Sequence, residues 1–107
     1  MEHISPRELA AWLADPLRPR PFILDVREPW EYDICHLPAA QLLPLRQLLQ
    51  GLSELDPNRP TVVVCHHGIR SRHAARVLER QGFRAVYNLS GGLDAWAREV
   101  DPCLPTY

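Results

Sequence analysis

The chain's densest run of reactive side chains is Cys65-His66-His67-Gly68-Ile69-Arg70, closed by Ser71. A cysteine does chemistry as its thiolate, so the question is what would favour the anion there. Thr61-Val62-Val63-Val64, wholly β-branched, reads as a strand running into Cys65. Ser71 to Gln81 reads as a helix, with Ala74, Ala75, Val77 and Leu78 as its apolar stripe. A thiol at such a junction faces the unpaired N–H groups and the positive dipole end of the helix, and both favour thiolate over thiol. Successive loop amides can also curl into an anion-holding nest. Gly68 supplies the backbone freedom of a tight loop, and Arg70 and Arg72 add positive charge. The bland alternative is a small hydrophobe ending a buried strand. The order strand, cysteine, glycine-containing loop, helix favours the nucleophile.

His66 and His67 beside Cys65 also raise the question of a metal. Neighbours on one tight loop chelate one ion with poor geometry and no fourth ligand is evident, so no metal is expected. Loop length bears on what the thiolate would carry. Cysteine phosphatases hold phosphate between a Cys and an Arg separated by five residues, usually with a His before the Cys. Here four residues separate Cys65 from Arg70, and Val64 precedes the cysteine. The smaller cradle suits one extra sulfur atom on Cys65 better than a tetrahedral phosphoryl group.

Other elements must bring this loop to a usable place. Ser5-Pro6-Arg7-Glu8 opens a helix with a capping box and a proline in the first turn, and Leu9, Trp12 and Leu13 continue it. Phe22 to Val26 reads as a strand buried on both faces, Glu28 to Ile34 as a short helix, and Gln41 to Leu43 as a weak strand before Pro44. Leu45 to Leu49 is helical. Ala85 to Asn88 is a strand, Leu93 to Val100 a last helix, and His3-Ile4 a short edge strand, while Gly82 caps the helix before it. Strands alternating with helices through short loops imply an α/β parallel sheet covered on both faces. Sites then form at the carboxyl ends of strands, where the turn after Val26, the Cys65 loop and Ser90-Gly91-Gly92 converge.

The 107 residues fit one domain, 1–107, able to bury a modest core unaided. With 12 basic and 13 acidic residues the net charge is −1, which gives no reason to expect nucleic acid or an anionic membrane as partner. No apolar run reaches the length of a membrane span, and the opening residues lack a signal-peptide pattern, so a cytoplasmic location is expected. Cys35, Cys65 and Cys103 are too few and too uneven for a disulfide framework.

Three stretches together resemble the single-domain rhodaneses, the thiosulfate sulfurtransferase family. Leu24-Asp25-Val26-Arg27-Glu28 with Trp30-Glu31-Tyr32 is similar to the family's first signature. Cys65-His66-His67-Gly68-Ile69-Arg70-Ser71 looks like its active-site loop, and Leu89-Ser90-Gly91-Gly92-Leu93-Asp94-Ala95-Trp96 resembles its C-terminal signature. The resemblance implies a rhodanese-like fold, a five-stranded mostly parallel sheet with helices on both faces. It also implies a Cys65 persulfide formed from thiosulfate or a persulfide donor and passed to cyanide or a thiol. No cofactor is implied, and a partner sulfur-relay protein is compatible with it. A non-catalytic binding module and a small cysteine phosphatase or arsenate reductase are the competing readings. The loop His66-His67-Gly68-Ile69-Arg70-Ser71 would bind substrate and persulfide, with the backbone amides from His66 to Arg70 stabilising the charge. Arg70 either attracts the sulfonate of thiosulfate or ties the loop to a carboxylate of the first signature. Asp25 and Arg27 read as a structural pair at the rim, with Glu31 a possible partner for Arg27. Gly91 and Gly92 permit close packing beside the loop, Trp96 is core, and His36 is hydrogen-bonded in its own turn.

One stretch departs from the family, which usually has Gly-His-Ile-Pro-Gly-Ala where this chain has Cys35-His36-Leu37-Pro38-Ala39-Ala40. A positive φ at either replaced glycine would cost on the order of 1 kcal/mol. That turn precedes a strand and the segment carrying Cys103 follows the last helix. Both are therefore expected at the sheet end opposite Cys65, leaving neither cysteine as a resolving thiol.

Overall fold

The computed structural model describes residues 1–107. Five strands form one sheet in the order β1-β5-β4-β2-β3, and every neighbouring pair is parallel. They are β1 (Glu2–Ile4), β2 (Phe22–Asp25), β3 (Gln41–Leu42), β4 (Thr61–Val64) and β5 (Val86–Leu89). The helices are α1 (Pro6–Ala14), α2 (Pro29–Ile34), α3 (Leu48–Gly51), α4 (Ile69–Arg80) and α5 (Gly92–Glu99). Short 3-10 turns, Leu45–Gln47 and Leu52–Glu54, flank α3. No helix is long and apolar enough to cross a membrane.

β4 lies at the centre because its four residues are all buried, which only an inner strand of a covered sheet allows. Strand side chains alternate between faces, so Val62 and Val64 join one core while Val63 and Cys65 join the other. The first core gathers Leu9 and Trp12 of α1 with Leu93 and Trp96 of α5. The second gathers Leu48 of α3 with Ala74, Ala75 and Leu78 of α4. The capping box of α1 is made in full: Glu8 N–H donates to Ser5 Oγ at 3.1 Å, and Ser5 N–H donates to Glu8 Oε1 at 2.9 Å.

α4 starts two residues earlier than its apolar pattern suggests. Gly68 takes φ +94°, a left-handed conformation open to glycine, and the chain turns into the helix at Ile69. Ser71 is thereby already inside the first turn and buried.

The two replaced glycines of the Cys35–Ala40 turn separate cleanly. Cys35 is extended at φ −162°, which any residue adopts, but Ala39 sits at φ +63°. A left-handed L-residue costs roughly 1–2 kcal/mol, and glycine's extra freedom in the unfolded chain returns up to about 1 kcal/mol of that. Ala39→Gly is expected to raise stability by about 0.5 kcal/mol, read as a higher urea midpoint; a lower midpoint would show that the position is not strained.

The placement of this turn needs correction. Arg27, just past β2 at the Cys65 end of the sheet, donates from Nη2 to the Cys35 carbonyl oxygen at 2.6 Å. The turn therefore starts near the Cys65 end and descends to the start of β3. Cys35 belongs to the core face opposite that of Cys65, so the sheet itself stands between the two sulfurs. His36 is held in its turn, with Nδ1 2.8 Å from the Tyr32 carbonyl oxygen and its ring stacked on Tyr32. The segment after α5 also departs from expectation. Leu104 packs against the first core, and Tyr107 then reaches the Cys65 end, where its hydroxyl meets Arg27 and Glu31. A segment of seven residues can extend about 23 Å, enough to return along the short α5.

Candidate active site

β4 delivers Cys65 to the carboxyl edge of the sheet, and the thiol is buried at 1% exposure. Two backbone amides donate to its sulfur: Gly68 N–H at 3.1 Å and Ser71 N–H at 3.3 Å. The Ser71 amide lies beyond the His66–Arg70 stretch expected to supply donors. It contributes because the early start of α4 turns it inward. The Cys65 S–H can donate to Ser71 Oγ, 3.2 Å away, and the Ser71 hydroxyl in turn donates to Asn88 Oδ1.

Asn88 is the residue that the sequence reading missed at this site. Its Nδ2 donates to the Gly68 carbonyl oxygen at 3.2 Å, so one buried carboxamide pins both Ser71 and the left-handed glycine. The available signal was its type: a lone amide in a strand otherwise made of Val86, Tyr87 and Leu89 needs buried partners.

The N-terminus of α5 buttresses the loop from beneath. Leu93 N–H donates to the Cys65 carbonyl oxygen at 2.8 Å and Asp94 N–H to the His66 carbonyl oxygen at 3.0 Å. Gly92, at φ +62°, makes this approach possible, because a Cβ there would lie 2.4 Å from the His66 carbonyl oxygen. The close packing expected of the Gly91-Gly92 pair is located at this contact.

Rim charges form two bidentate pairs. Asp25 and Arg27 are both fully buried, with Arg27 Nε to Asp25 Oδ1 at 2.9 Å and Nη2 to Oδ2 at 2.7 Å. The remaining Arg27 donors reach the carbonyl oxygens of Cys35 and Glu31 and the Tyr107 hydroxyl. A buried guanidinium is tolerated because every donor direction is met. Glu31 pairs with Arg70 instead of Arg27: Nη1 to Oε2 is 2.7 Å and Nη2 to Oε1 is 2.8 Å. Of the two roles open to Arg70, tying the loop to a first-signature carboxylate is the one its contacts display.

The Arg70 guanidinium holds the Glu31 carboxyl at about 2, well below the ordinary carboxylate range. A depressed carboxyl stabilises the fold above its unfolded pKa, and that contribution fades as pH falls toward its folded value. Arg70 is itself about one-third exposed, which screens the pair. Arg70→Ala is expected to cost about 2 kcal/mol at neutral pH. The gap from wild type should narrow as pH drops from about 4.5 toward 2. Urea unfolding of both proteins across that range checks this, and a pH-independent gap would contradict it.

His66, half-buried, has its pKa lowered by burial and by the neighbouring His67, both of which disfavour the protonated ring. Its Nδ1 is enclosed without a hydrogen-bond partner. His67 is exposed, with Nε2 3.9 Å from Asp94 Oδ2. His66, His67 and Asp94 are the residues best placed to hold a cation, their ligand atoms lying within 4.8 Å of one another. Asp94 is also paired with Arg98 at 3.3 Å. Ile69 is exposed at the outer edge of the loop.

A strand-end thiol cradled by loop amides, on a five-stranded parallel sheet with helices on both faces, defines a particular α/β class. A family model described as the Rhodanese-like domain matches residues 5–99, and the chain belongs to that family. Among curated proteins, the chain is 39% identical over 112 residues to the Rhodanese-like/PpiC domain-containing protein 12, chloroplastic, of Arabidopsis thaliana. That match covers all of this chain and 38% of the relative. It is 37% identical over 107 residues to the probable adenylyltransferase/sulfurtransferase MoeZ of Mycobacterium tuberculosis, covering 97% of this chain and 26% of the relative. The chain thus spans well under half the length of both. Among solved structures, a rhodanese-like domain protein from Staphylococcus aureus superposes with a TM-score of 0.84 at 30% identity, covering 94% of this chain and 95% of that one.

Proposed function

We propose that the chain is a sulfurtransferase that carries sulfane sulfur as a Cys65 persulfide. The supporting observation is the sulfur's position, with the Gly68 and Ser71 amides both aimed at it. In the first half-reaction the Cys65 thiolate attacks the outer sulfur of thiosulfate. The sulfur–sulfur bond of thiosulfate breaks, sulfite leaves with its electron pair, and the enzyme holds Cys65–S–S⁻. In the second, a cyanide carbon or a thiolate attacks the outer persulfide sulfur, and the Cys65 thiolate is restored. Covalent catalysis divides one difficult transfer into two. Each amide aimed at the developing charge can be worth about 3 kcal/mol in the transition state. The outer sulfur would extend from Sγ toward the loop amides between His66 and Arg70, of which Gly68 N–H already meets Sγ. No general base, metal or organic cofactor enters these steps.

A persulfide on a donor protein is an equally suitable source, and a protein thiol an equally suitable acceptor. The mycobacterial relative's name joins an adenylyltransferase to a sulfurtransferase, which supports a place for this chain in a protein sulfur relay. The phosphatase reading is disfavoured by the loop, which has four residues between Cys65 and Arg70 where the phosphatase cradle has five.

Steady-state kinetics test the reading. Thiosulfate and cyanide should give thiocyanate with parallel double-reciprocal lines, the pattern of a substituted enzyme. An aryl phosphate should not be hydrolysed. Hydrolysis without thiocyanate formation would overturn the proposal in favour of a phosphatase.

A further inference from the structure

Tyr107 has no part in the chemistry above, yet it is built into the rim of the site. Its ring centroid lies 4.2 Å from that of His66, the first loop residue after Cys65. Its hydroxyl donates to Glu31 Oε1 at 2.8 Å, and Glu31 holds Arg70 on the other limb of the loop. Arg27 Nη1 donates back to the same hydroxyl at 3.0 Å. Trp30 meets the ring edge-on at 5.6 Å, and is itself 60% exposed. The phenol thus runs from one limb of the active loop to the ion pair that fixes the other limb. Burial pushes its pKa up to about 12, so it remains a neutral donor and acceptor at any physiological pH.

The segment that carries it is lightly held. From Asp101 to Tyr107 only Leu104 packs against the core, and most of its other residues are exposed. The wall is therefore held by the contacts of Tyr107 itself, to His66, Arg27 and Glu31, more than by the residues that lead to it.

We propose that Tyr107 is a specificity-determining residue: it walls one side of the Cys65 mouth, admitting slender sulfur donors such as thiosulfate and slowing bulky ones. This deepens the sulfurtransferase reading and rests on it for its substrates. The wall itself can be tested through Cys65 reactivity alone, without turnover.

The experiment compares wild type, Tyr107→Phe and Tyr107→Ala with two donors, thiosulfate and benzenethiosulfonate, using cyanide as acceptor. Tyr107→Ala should raise kcat/KM for benzenethiosulfonate at least fivefold relative to thiosulfate. Tyr107→Phe keeps the ring and loses the hydroxyl's two bonds, and should fall between. A second readout needs no sulfur transfer: alkylation by iodoacetamide and by a bulky aryl maleimide, in a Cys103→Ser background and quantified on the Cys65 peptide so that the free Cys35 does not contribute. The maleimide-to-iodoacetamide rate ratio should rise in the same order of variants. A merely structural role for Tyr107 would lower both donors together and leave both ratios unchanged, which would overturn the proposal. If wild type forms no thiocyanate, the sulfurtransferase reading fails, and the alkylation ratio still decides whether Tyr107 walls the mouth.

Discussion

Cys65→Ser is expected to leave a folded protein that transfers no sulfur above background. Serine is close in size to cysteine, and its hydroxyl can accept from the Gly68 and Ser71 amides that the sulfur now engages. The fold should therefore shift by no more than about 1 kcal/mol. A serine hydroxyl is a far weaker nucleophile at neutral pH, and no general base stands beside it. Removing the nucleophile of a covalent mechanism costs roughly 10^4-fold or more in turnover. Thiocyanate formation and the urea midpoint, measured on the same preparation, check both halves. Residual transfer within about tenfold of wild type would defeat the covalent mechanism.

Gly92→Ala is expected to produce the largest loss of stability of any single methyl addition near the site. The new Cβ would lie 2.4 Å from the His66 carbonyl oxygen and 2.5 Å from that of Cys65. Those are backbone atoms that cannot rotate away, and the φ of +62° adds its own penalty. Relief requires α5 and the Cys65 loop to separate, breaking the bonds from the Leu93 and Asp94 amides. A cost of about 3 kcal/mol or more follows from overpacking, backbone strain and lost hydrogen bonds together. Protein that still folds should turn over at least about 100-fold more slowly, since displacing a reacting group by 1 Å costs that much. Gly82→Ala is the control: φ is also positive, at +92°, but nothing lies within 4 Å of the added Cβ. It should cost only about 1 kcal/mol and leave turnover unchanged. Equal behaviour of the two variants, by urea unfolding and thiocyanate assay, would show that the buttress does not set the loop's geometry.

These contrasts also show which parts of the molecule could be read from the chain. Thr61–Val64 is legible because four consecutive β-branched residues suit only a strand covered on both faces. The α1 capping box is legible because both partners lie three residues apart. The Cys65 cradle is legible because strand, cysteine, glycine loop and helix are contiguous. Pairings across long sequence separations were not legible. Glu31 and Arg70 are 39 residues apart, and only tertiary geometry decides that Arg70, not Arg27, receives the carboxylate. The direction of α5 carries the chain toward the far end at Cys103 but says nothing of Tyr107, which returns to Arg27 and Glu31. In fact the chain turns once the helix stops, at Val100 and Asp101. Cys35 stands at the beginning of its turn, near Arg27, whereas the strand that fixes the turn's other end lies below it. In each case a local rule was right about the element and could not say where the flanking irregular segment goes.

The most direct test of the central claim is the intact mass of the protein after incubation with thiosulfate and removal of small molecules. A gain of one sulfur atom is predicted, located on the peptide containing Cys65, lost on adding cyanide, and absent in Cys65→Ser. No gain, or a gain on Cys35 or Cys103 that survives in Cys65→Ser, would contradict it.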